Sequence, residues 1–283
     1  MSGVASVSMT IAPSRACSWE SGADRDMTRS DTAGSTEADA QFAPFVEAIG
    51  RVTCANSAPT RINGNGNVFA NACRRWARLR RARLVLDALS ISPGEKVLDL
   101  GGGNGEGVRL LLPNHPGITV ADIRPMAAEC AARGLAFVPL DGSLPLPFTD
   151  RQFDVVFCNS VIEHVTGPKE RVWDSDSVDF EHRAEAEQRA FADEIRRIGR
   201  RYVVQTPYRY FPIESHSWLP APLALLPRRR LLPLLRHTNR WWLKTTNPDW
   251  RLLTRRDMQA LFPEAKLIEE RAFGLTKSLI AIG

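Results

Sequence analysis

A glycine-rich turn is the stretch of this chain whose residue types point most directly to chemistry. The apolar run Val97–Leu100 leads into a loop with glycine at positions 101, 102, 103 and 105. Glycine has no Cβ and tolerates positive φ, so such a loop can turn sharply and approach a ligand closely. A strand before the loop and a helix after it would aim backbone amides at that ligand. The stretch therefore predicts a binding site for a nucleotide-type cofactor.

The glycine spacing argues against a dinucleotide site. That fingerprint needs Gly-x-Gly-x-x-Gly or a final Ala, whereas the three frames end on Glu106, Val108 and Leu110. The match is instead to Asp-x-Gly-x-Gly-x-Gly over 99–105, which resembles motif I of class I S-adenosylmethionine-dependent methyltransferases. The resemblance implies S-adenosylmethionine as the cofactor.

Three further stretches follow in the order that this family shows. The run 118–122 ends on Asp122, which resembles the family acid that accepts hydrogen bonds from the cofactor ribose, and Asp141 resembles the acid that contacts the adenine amino group. Residues 146–164 (LPFTDRQFDVVFCNSVIEH) resemble the LPF-x-D-x-x-FD-x-V…EH signature of type 11 methyltransferases. The resemblance implies that the cofactor is held by Asp99, Gly101, Gly103, Gly105, Asp122, Ile123, Asp141, Gly142 and Asn159.

The acceptor side is expected in the loops that follow the fourth and fifth strands. Methyl transfer mainly requires alignment and, for an oxygen acceptor, removal of a proton. Histidine suits proton transfer near neutral pH, and residues 206–216 resemble a TP-x-x-x-FP-x-E-x-H loop in a subset of bacterial type 11-like methyltransferases. Besides Glu163, we predict His164, Glu214 and His216 as candidate catalytic residues. The alternatives are that the Glu163–His164 pair holds its loop or faces the cofactor, and that 206–216 is an aromatic lid.

Short apolar runs that alternate with helical segments must position these residues. Such alternation predicts a mainly parallel sheet with helices on both faces. The link 272–276 is too short for a helical crossover, so the last two strands must be antiparallel. We predict a Rossmann-like α/β fold of seven strands, mostly parallel with an antiparallel last strand. The strands are placed near 96–100, 118–122, 136–140, 154–159, 201–205, 266–271 and 277–282.

The chain divides into three parts by composition and periodicity. Residues 1–40 are rich in small and polar residues and are predicted to be disordered. Residues 41–94 form a helical lead-in, with a helix near 71–90, and 95–283 form the methyltransferase domain with a substrate cap at about 206–250. Within that domain we predict a charged helix over 171–197 whose Phe191 and Ile195 face the core. Thr254 to Asp257 has the spacing of a capping box that opens a helix.

Composition narrows the remaining possibilities. The chain has 283 residues, 43% of them hydrophobic, which is enough for a sizeable core, and its opening lacks the pattern of a secretory signal, so we expect a cytoplasmic protein. Five cysteines without a CxxC pair and five histidines without metal-ligand spacing predict neither a disulfide framework nor a metal site. A net charge of +5 and the basic run 74–84 raise the question of nucleic acid. We favour a plain amphipathic helix with its arginines on the solvated side.

Residues 218–242 combine leucines, prolines, three consecutive arginines and two tryptophans. The arginines interrupt the apolar run, so the segment cannot span a bilayer. It could lie at the inner membrane surface as a peripheral contact, but we favour a lid that packs its leucines over the acceptor pocket. A lipid-like or polycyclic acceptor would suit both interpretations.

The chain is thus expected to be a methyltransferase (EC 2.1.1.-) that modifies an oxygen or carbon of a small-molecule or lipid-like acceptor. A non-catalytic S-adenosylmethionine-binding regulator or scaffold is the main alternative. A nucleic-acid methyltransferase is disfavoured because Asn159 is followed by Ser-Val-Ile rather than Pro-Pro-Tyr. No nucleic-acid partner is expected.

Overall fold

The protein is described by a computed structural model that covers Arg81 and residues 84–86, 88–173, 176–214, 216–241 and 245–283, all within one compact unit. The predictions for 1–80 lie outside the described residues; these are the disordered start and most of the helical lead-in. Residues 81, 84–86 and 88 are helical, within the helix predicted near 71–90.

Seven strands form one sheet in the order β3-β2-β1-β4-β5-β7-β6. Strands β1 to β5 are parallel neighbours, whereas β7 runs antiparallel to both β5 and β6. The predicted fold class is confirmed. The bounds are β1 Val97–Leu100, β2 Ile118–Asp122, β3 Ala136–Pro139, β4 Phe153–Asn159, β5 Gly199–Pro207, β6 Lys266–Ala272 and β7 Leu275–Ile282.

Helices cover both faces of the sheet. The α-helices are α1 Glu106–Leu111, α2 Ala127–Ala131, α3 Ser177–Ile198, α4 Ala221–Ala224, α5 Arg228–Thr238 and α6 Arg255–Leu261, with short 3₁₀ turns at Ile162–His164 and Lys169–Arg171. Successive strand residues point to opposite faces. In β1, Leu98 therefore joins the core beneath α3 and α6, and Val97 joins the core beneath α1 and α2.

Helix α3 is the charged helix predicted near 171–197, and it begins later than expected. Asp176 caps it by accepting hydrogen bonds from the amides of Val178 and Asp179, so the helix starts at Ser177. Phe191 and Ile195 are buried in the core, as predicted. The capping box also forms: Thr254 accepts from the Asp257 amide while the Asp257 carboxylate accepts from the Thr254 amide.

The hairpin between β6 and β7 is tighter than predicted. The link was expected to span 272–276, but only Phe273 and Gly274 lie between the strands. Both have positive φ, 52° and 79°, which is the geometry of a two-residue turn that matches strand twist. The strands therefore extend further than their apolar pattern indicates.

The segment between β5 and α6 folds back onto the domain. Leu219, Leu231 and Leu235 form a separate apolar cluster with Trp250 and Leu252. The guanidinium of Arg228 is buried and lies 3.6 Å from the centroid of the Phe180 ring in α3, so the first of the three arginines anchors the segment to the domain. Of the five residues in this apolar cluster, only Leu252 lines one of the cavities described below, so the lid over the acceptor pocket stays a prediction. No helix in the described part of the chain has both the length and the apolar character needed to cross a bilayer.

Candidate functional site

The glycine-rich loop has the conformation that its sequence predicts. Gly101, Gly103 and Gly105 have φ of 74°, 57° and 72°. A Cβ at Gly105 would lie 2.2 Å from a methyl carbon of Leu135, and one at Gly101 would lie 2.4 Å from a methyl carbon of Val161. The loop is therefore pressed against the structure around it, and side chains at these two positions would clash.

A cavity of about 310 Å³, here called the first cavity, opens beside this loop. Asp99, Asn159 and Gln205 line it. They come from β1, β4 and β5, respectively. Each lies two residues after a residue of its own strand that packs in the core beneath α1 and α2, namely Val97, Phe157 and Val203. Strand alternation thus places one carboxylate and two amides on a single face, at the carboxyl ends of three adjacent strands.

Asp99 is the buried acid of the first cavity. Burial, with a smaller contribution from the negative charge of Asp122, raises the pKa of Asp99 from its ordinary value to about 7. A carboxyl group with this pKa is partly protonated and partly ionised near neutral pH. It can become a full anion when a cation is placed beside it.

Asp122 is fully engaged by its neighbours. Its Oδ2 accepts hydrogen bonds from the Gly103 amide at 2.7 Å and from Arg124 Nη2 at 3.0 Å, and its Oδ1 accepts from the amide and Nε of Arg124. Burial opposes ionisation, but these bonds outweigh it and lower the pKa of Asp122. The Arg124 side chain also lies across the loop, because a Cβ at Gly103 would be 2.6 Å from its Nη2.

Six of the nine predicted cofactor residues do not line the first cavity: Gly103, Gly105 and Asp122, in or against the glycine-rich loop, and three exposed residues beyond it. Ile123 is 62% exposed, and Asp141 and Gly142 are also exposed. The Asp141 carboxylate accepts hydrogen bonds from the amide and hydroxyl of Ser143, which lower its pKa. A Cβ at Gly142 would lie 4.0 Å from Ile123 Cγ2. These residues form an open apolar and acidic ledge that begins immediately after Asp122.

Arg81 corrects the prediction that the basic run 74–84 turns its arginines to solvent. Its side chain is 20% exposed and forms an ion pair with Glu270 at 2.8 Å. Its Nη1 donates to Asn159 Oδ1 at 2.9 Å and to Gln205 Oε1 at 3.0 Å. The periodicity of one helix could not reveal this, because the three partners come from β4, β5 and β6.

A second cavity of about 330 Å³ shares Arg81 and Gln205 with the first. The loop after β5 and the segment that follows it supply an apolar wall, which consists of Pro207, Tyr208, Phe211, Ile213 and Trp218 with Leu252. Ser160 and Lys277 add polar groups. The loop 206–216 therefore lines a pocket, as the lid interpretation implies.

The candidate catalytic residues come together although they are distant in sequence. The His164 and His216 rings meet edge to face with centroids 4.6 Å apart. His164 Nδ1 is 3.2 Å from Asp249 Oδ1, and His216 Nδ1 is 2.7 Å from Glu214 Oε1. These residues, with Glu163, are called the acid–histidine cluster below.

Glu163 lies at the centre of this cluster and is completely buried. Its Oε2 accepts a hydrogen bond from the Thr206 hydroxyl at 3.0 Å, whereas its Oε1 has no hydrogen-bond partner among the described residues. His216 Nε2 lies 3.8 Å from Oε1, which is too long for a hydrogen bond. The prediction of no metal site rested on the spacing of cysteines and histidines in the sequence, which does not show that Glu163, His164 and His216 come together in the fold.

Both carboxylate oxygens of Glu214 accept hydrogen bonds from neighbouring residues of its own loop. Oε1 accepts from the amide and Nδ1 of His216, and Oε2 accepts from the amide and hydroxyl of Ser217. These bonds make Glu214 a residue that positions His216. Burial alone would lower the pKa of His216, but the carboxylates of Glu163 and Glu214 raise it to about 9.

Cys158 is among the residues that line the first cavity. It is buried in the core of β4, and burial raises the pKa of its thiol well above the ordinary value. The thiol is therefore protonated at neutral pH, which argues against a nucleophilic role.

A parallel sheet with reversed β7, and a glycine loop at the carboxyl end of β1, define a Rossmann-like domain built to bind a nucleotide-type cofactor. Residues 98–175 match the model of the family described as a methyltransferase domain. The resemblance drawn from the motifs is confirmed over these residues. No curated protein sequence matches the chain.

Solved structures with a similar fold include three bacterial or archaeal methyltransferases. A magnesium protoporphyrin IX methyltransferase from Synechocystis PCC 6803, with bound SAH, is 16% identical, and the match covers 88% of this chain and 99% of that one with a TM-score of 0.44. The N-methyltransferase NodS from Bradyrhizobium japonicum WM9 is 14% identical, with 75% and 96% covered and a TM-score of 0.43. A putative methyltransferase of Haloferax volcanii, in complex with the activator Trm112, is 16% identical, with 75% and 90% covered and a TM-score of 0.45. All three TM-scores are below 0.5, and the similarity to methyltransferases is carried by the match over residues 98–175.

Proposed function

We propose that this protein is an S-adenosylmethionine-dependent methyltransferase that modifies an oxygen or carbon atom of a small-molecule or lipid-like acceptor. One observation carries the proposal: two cavities lie side by side at the carboxyl ends of the sheet and share Arg81 and Gln205. One has the acids and amides that suit a polar cofactor, and the other has an apolar wall that suits an acceptor.

The residues present fit the proposed cofactor. S-adenosylmethionine supplies an activated methyl group on a sulfonium. Asp99 offers a buried carboxylate for the ammonium group of the cofactor, and Asp122 offers carboxylate oxygens for hydroxyls. The exposed side chain of Ile123 offers a flat apolar surface beside Asp141 for an aromatic base. Arg124 must give up part of its contact with Asp122 when hydroxyls bind there.

The second cavity supports an acceptor that is largely apolar. Its wall of aromatic and aliphatic side chains favours a ring system or acyl chain over a sugar or a nucleic acid. The protein's own part is to hold the acceptor against the first cavity and to exclude water from it. No member of the acid–histidine cluster lines either cavity. Glu214 and His216 belong to the loop 206–216 that supplies part of the wall, so we propose that the cluster lies next to the acceptor side.

Calorimetry with S-adenosylhomocysteine tests the cofactor half of this proposal. The wild type should bind, and Asp122→Ala should weaken binding by about 1 to 3 kcal/mol, the cost of an unpaired buried partner. Asp193→Ala, which removes an exposed acid of α3 that lines neither cavity, is the matched control. Absence of binding to the folded wild type would overturn the proposal.

The acceptor half is tested with methyl-labelled S-adenosylmethionine. The label transferred by the protein is measured in two fractions, solvent-extracted lipids and water-soluble metabolites. We expect label in the lipid-soluble fraction. Binding of the cofactor without transfer to either fraction would favour the non-catalytic scaffold instead.

A further inference from the structure

The acid–histidine cluster contains three groups in the arrangement of a metal site. One ligand atom from each of Glu163, His164 and His216 lies within 4.8 Å of the other two. Bonds of about 2.0 to 2.2 Å to one zinc ion would place such atoms about 3.4 Å apart. The Glu163 Oε1 to His216 Nε2 distance of 3.8 Å is close to that value. Only small side-chain shifts are needed to close the site on an ion.

Both histidines are oriented as metal ligands usually are. Each has Nδ1 against a carboxylate, Asp249 for His164 and Glu214 for His216. A carboxylate at one ring nitrogen fixes the ring and makes the other nitrogen a better ligand. The Asp249 carboxylate is itself held by Lys169 Nζ at 3.2 Å. Both imidazole rings are thus held by a carboxylate at Nδ1, although the two histidines lie far apart in the sequence.

Glu163 supplies an independent sign that a cation belongs here. Its side chain is fully buried, and its Oε1 has no hydrogen-bond donor within the described part of the chain. A buried acceptor without a donor is costly. A metal ion bound between Oε1 and the two imidazoles would remove that cost, and the Nε2 proton of His216 would leave to solvent as the ion binds.

We propose that Glu163, His164 and His216 bind a divalent transition-metal ion, with Zn²⁺ favoured by the two imidazoles and one carboxylate. Mg²⁺ and Ca²⁺ prefer oxygen ligands and suit this set poorly. Three protein ligands leave a coordination position open, as in catalytic zinc sites.

Titration of the metal-free full-length protein with Co²⁺ and Zn²⁺ tests the site directly. We expect one ion per chain, with the intense visible absorption of low-coordinate Co²⁺ displaced by Zn²⁺. Glu163→Gln preserves the acceptor for Thr206 and should remain folded, yet it should weaken Zn²⁺ binding at least tenfold. His216→Ala should do the same. The matched controls are Glu185→Gln and His182→Ala, exposed changes on α3 that should leave binding unchanged.

Two further results separate this site from the cofactor site. Asp249→Asn should weaken Zn²⁺ binding by about 10- to 100-fold, the usual effect of losing an orienting carboxylate, while S-adenosylhomocysteine still binds normally. No uptake of either ion by the folded wild type would overturn the metal site. Uptake that survives both Glu163→Gln and His216→Ala would also overturn it. Neither result would bear on cofactor binding.

Discussion

Arg124 and Asp122 hold each other across the glycine loop, and this ion pair must open for a ligand hydroxyl to reach the carboxylate. The Arg124 side chain is 58% exposed, so the pair is worth little in water. We expect Arg124→Ala to bind S-adenosylhomocysteine about twofold to fivefold more tightly, because the competing guanidinium is gone. Calorimetry measures the change, and weaker binding by this variant would show that the guanidinium contacts the ligand instead.

Asp99 should make cofactor binding depend on pH. Its pKa of about 7 means that the ligand-free protein carries a proton there below pH 7 and loses it above. A bound ammonium group lowers that pKa, so binding releases a proton and affinity rises between about pH 6 and 8. Calorimetry in buffers of different ionisation enthalpy counts the proton.

Asp99→Asn is the control for this pH effect. The amide cannot titrate, so the variant should bind with an affinity that is flat from pH 6 to 8. The same proton release in the variant as in the wild type would place the titrating group elsewhere.

At the residue level, the strand-end positions could be predicted from sequence and the partners of distant side chains could not. Asp99, Asp122 and Asn159 lie at carboxyl ends of parallel strands, which meet at one edge wherever the chain goes in between. Arg81 is different, since its burial depends on Glu270 in β6, far along the chain. No local pattern signals that contact.

Among the elements, the capping box of α6 is a local feature that should make a measurable contribution to the free energy of unfolding. We expect Thr254→Ala to lower the free energy of unfolding by about 1 kcal/mol, because the amide of Asp257 loses its acceptor. Urea unfolding measures the loss. Thr149→Ala, which removes a side chain on an exposed turn, serves as the control, and equal losses in the two variants would mean that the cap contributes nothing of its own.

The segment between β5 and α6 shows where element prediction from sequence ends. Its leucines and prolines suggested either a lid or a membrane contact, because local composition does not say which neighbour the leucines will meet. Packing against Trp250 and the contact of Arg228 with Phe180 supply that information. The same path brings His216 to His164. The sequence pattern predicted both histidines, but only the tertiary fold joins them.

For the whole molecule, cofactor binding should raise the free energy of unfolding. A ligand that binds only the folded state at 100 times its dissociation constant stabilises it by about 2.7 kcal/mol. S-adenosylhomocysteine should therefore move the urea midpoint of the wild type upward, and at the same concentration it should move that of Asp122→Ala much less. An unchanged wild-type midpoint at saturating ligand would contradict the binding site.

The overall architecture was more predictable than any of its contacts. The alternation of short apolar runs with helices, and the short final link, are enough to derive seven strands and the reversed β7. Strand lengths were less accurate, and β5 reaches Pro207 rather than 205, because backbone pairing with β7 continues past the apolar residues. The hydrogen bonds of a sheet join backbone groups, so the residue types in a sequence say little about where a strand ends.

Arg81 also determines how much of the chain the domain needs. It comes from the helical stretch before β1, yet it belongs to the walls of both cavities and donates to Asn159 and Gln205 between them. A chain shortened to start at residue 95 would keep every strand and lose this partition. In a shortened protein that still folds, we expect the two cavities to join into one.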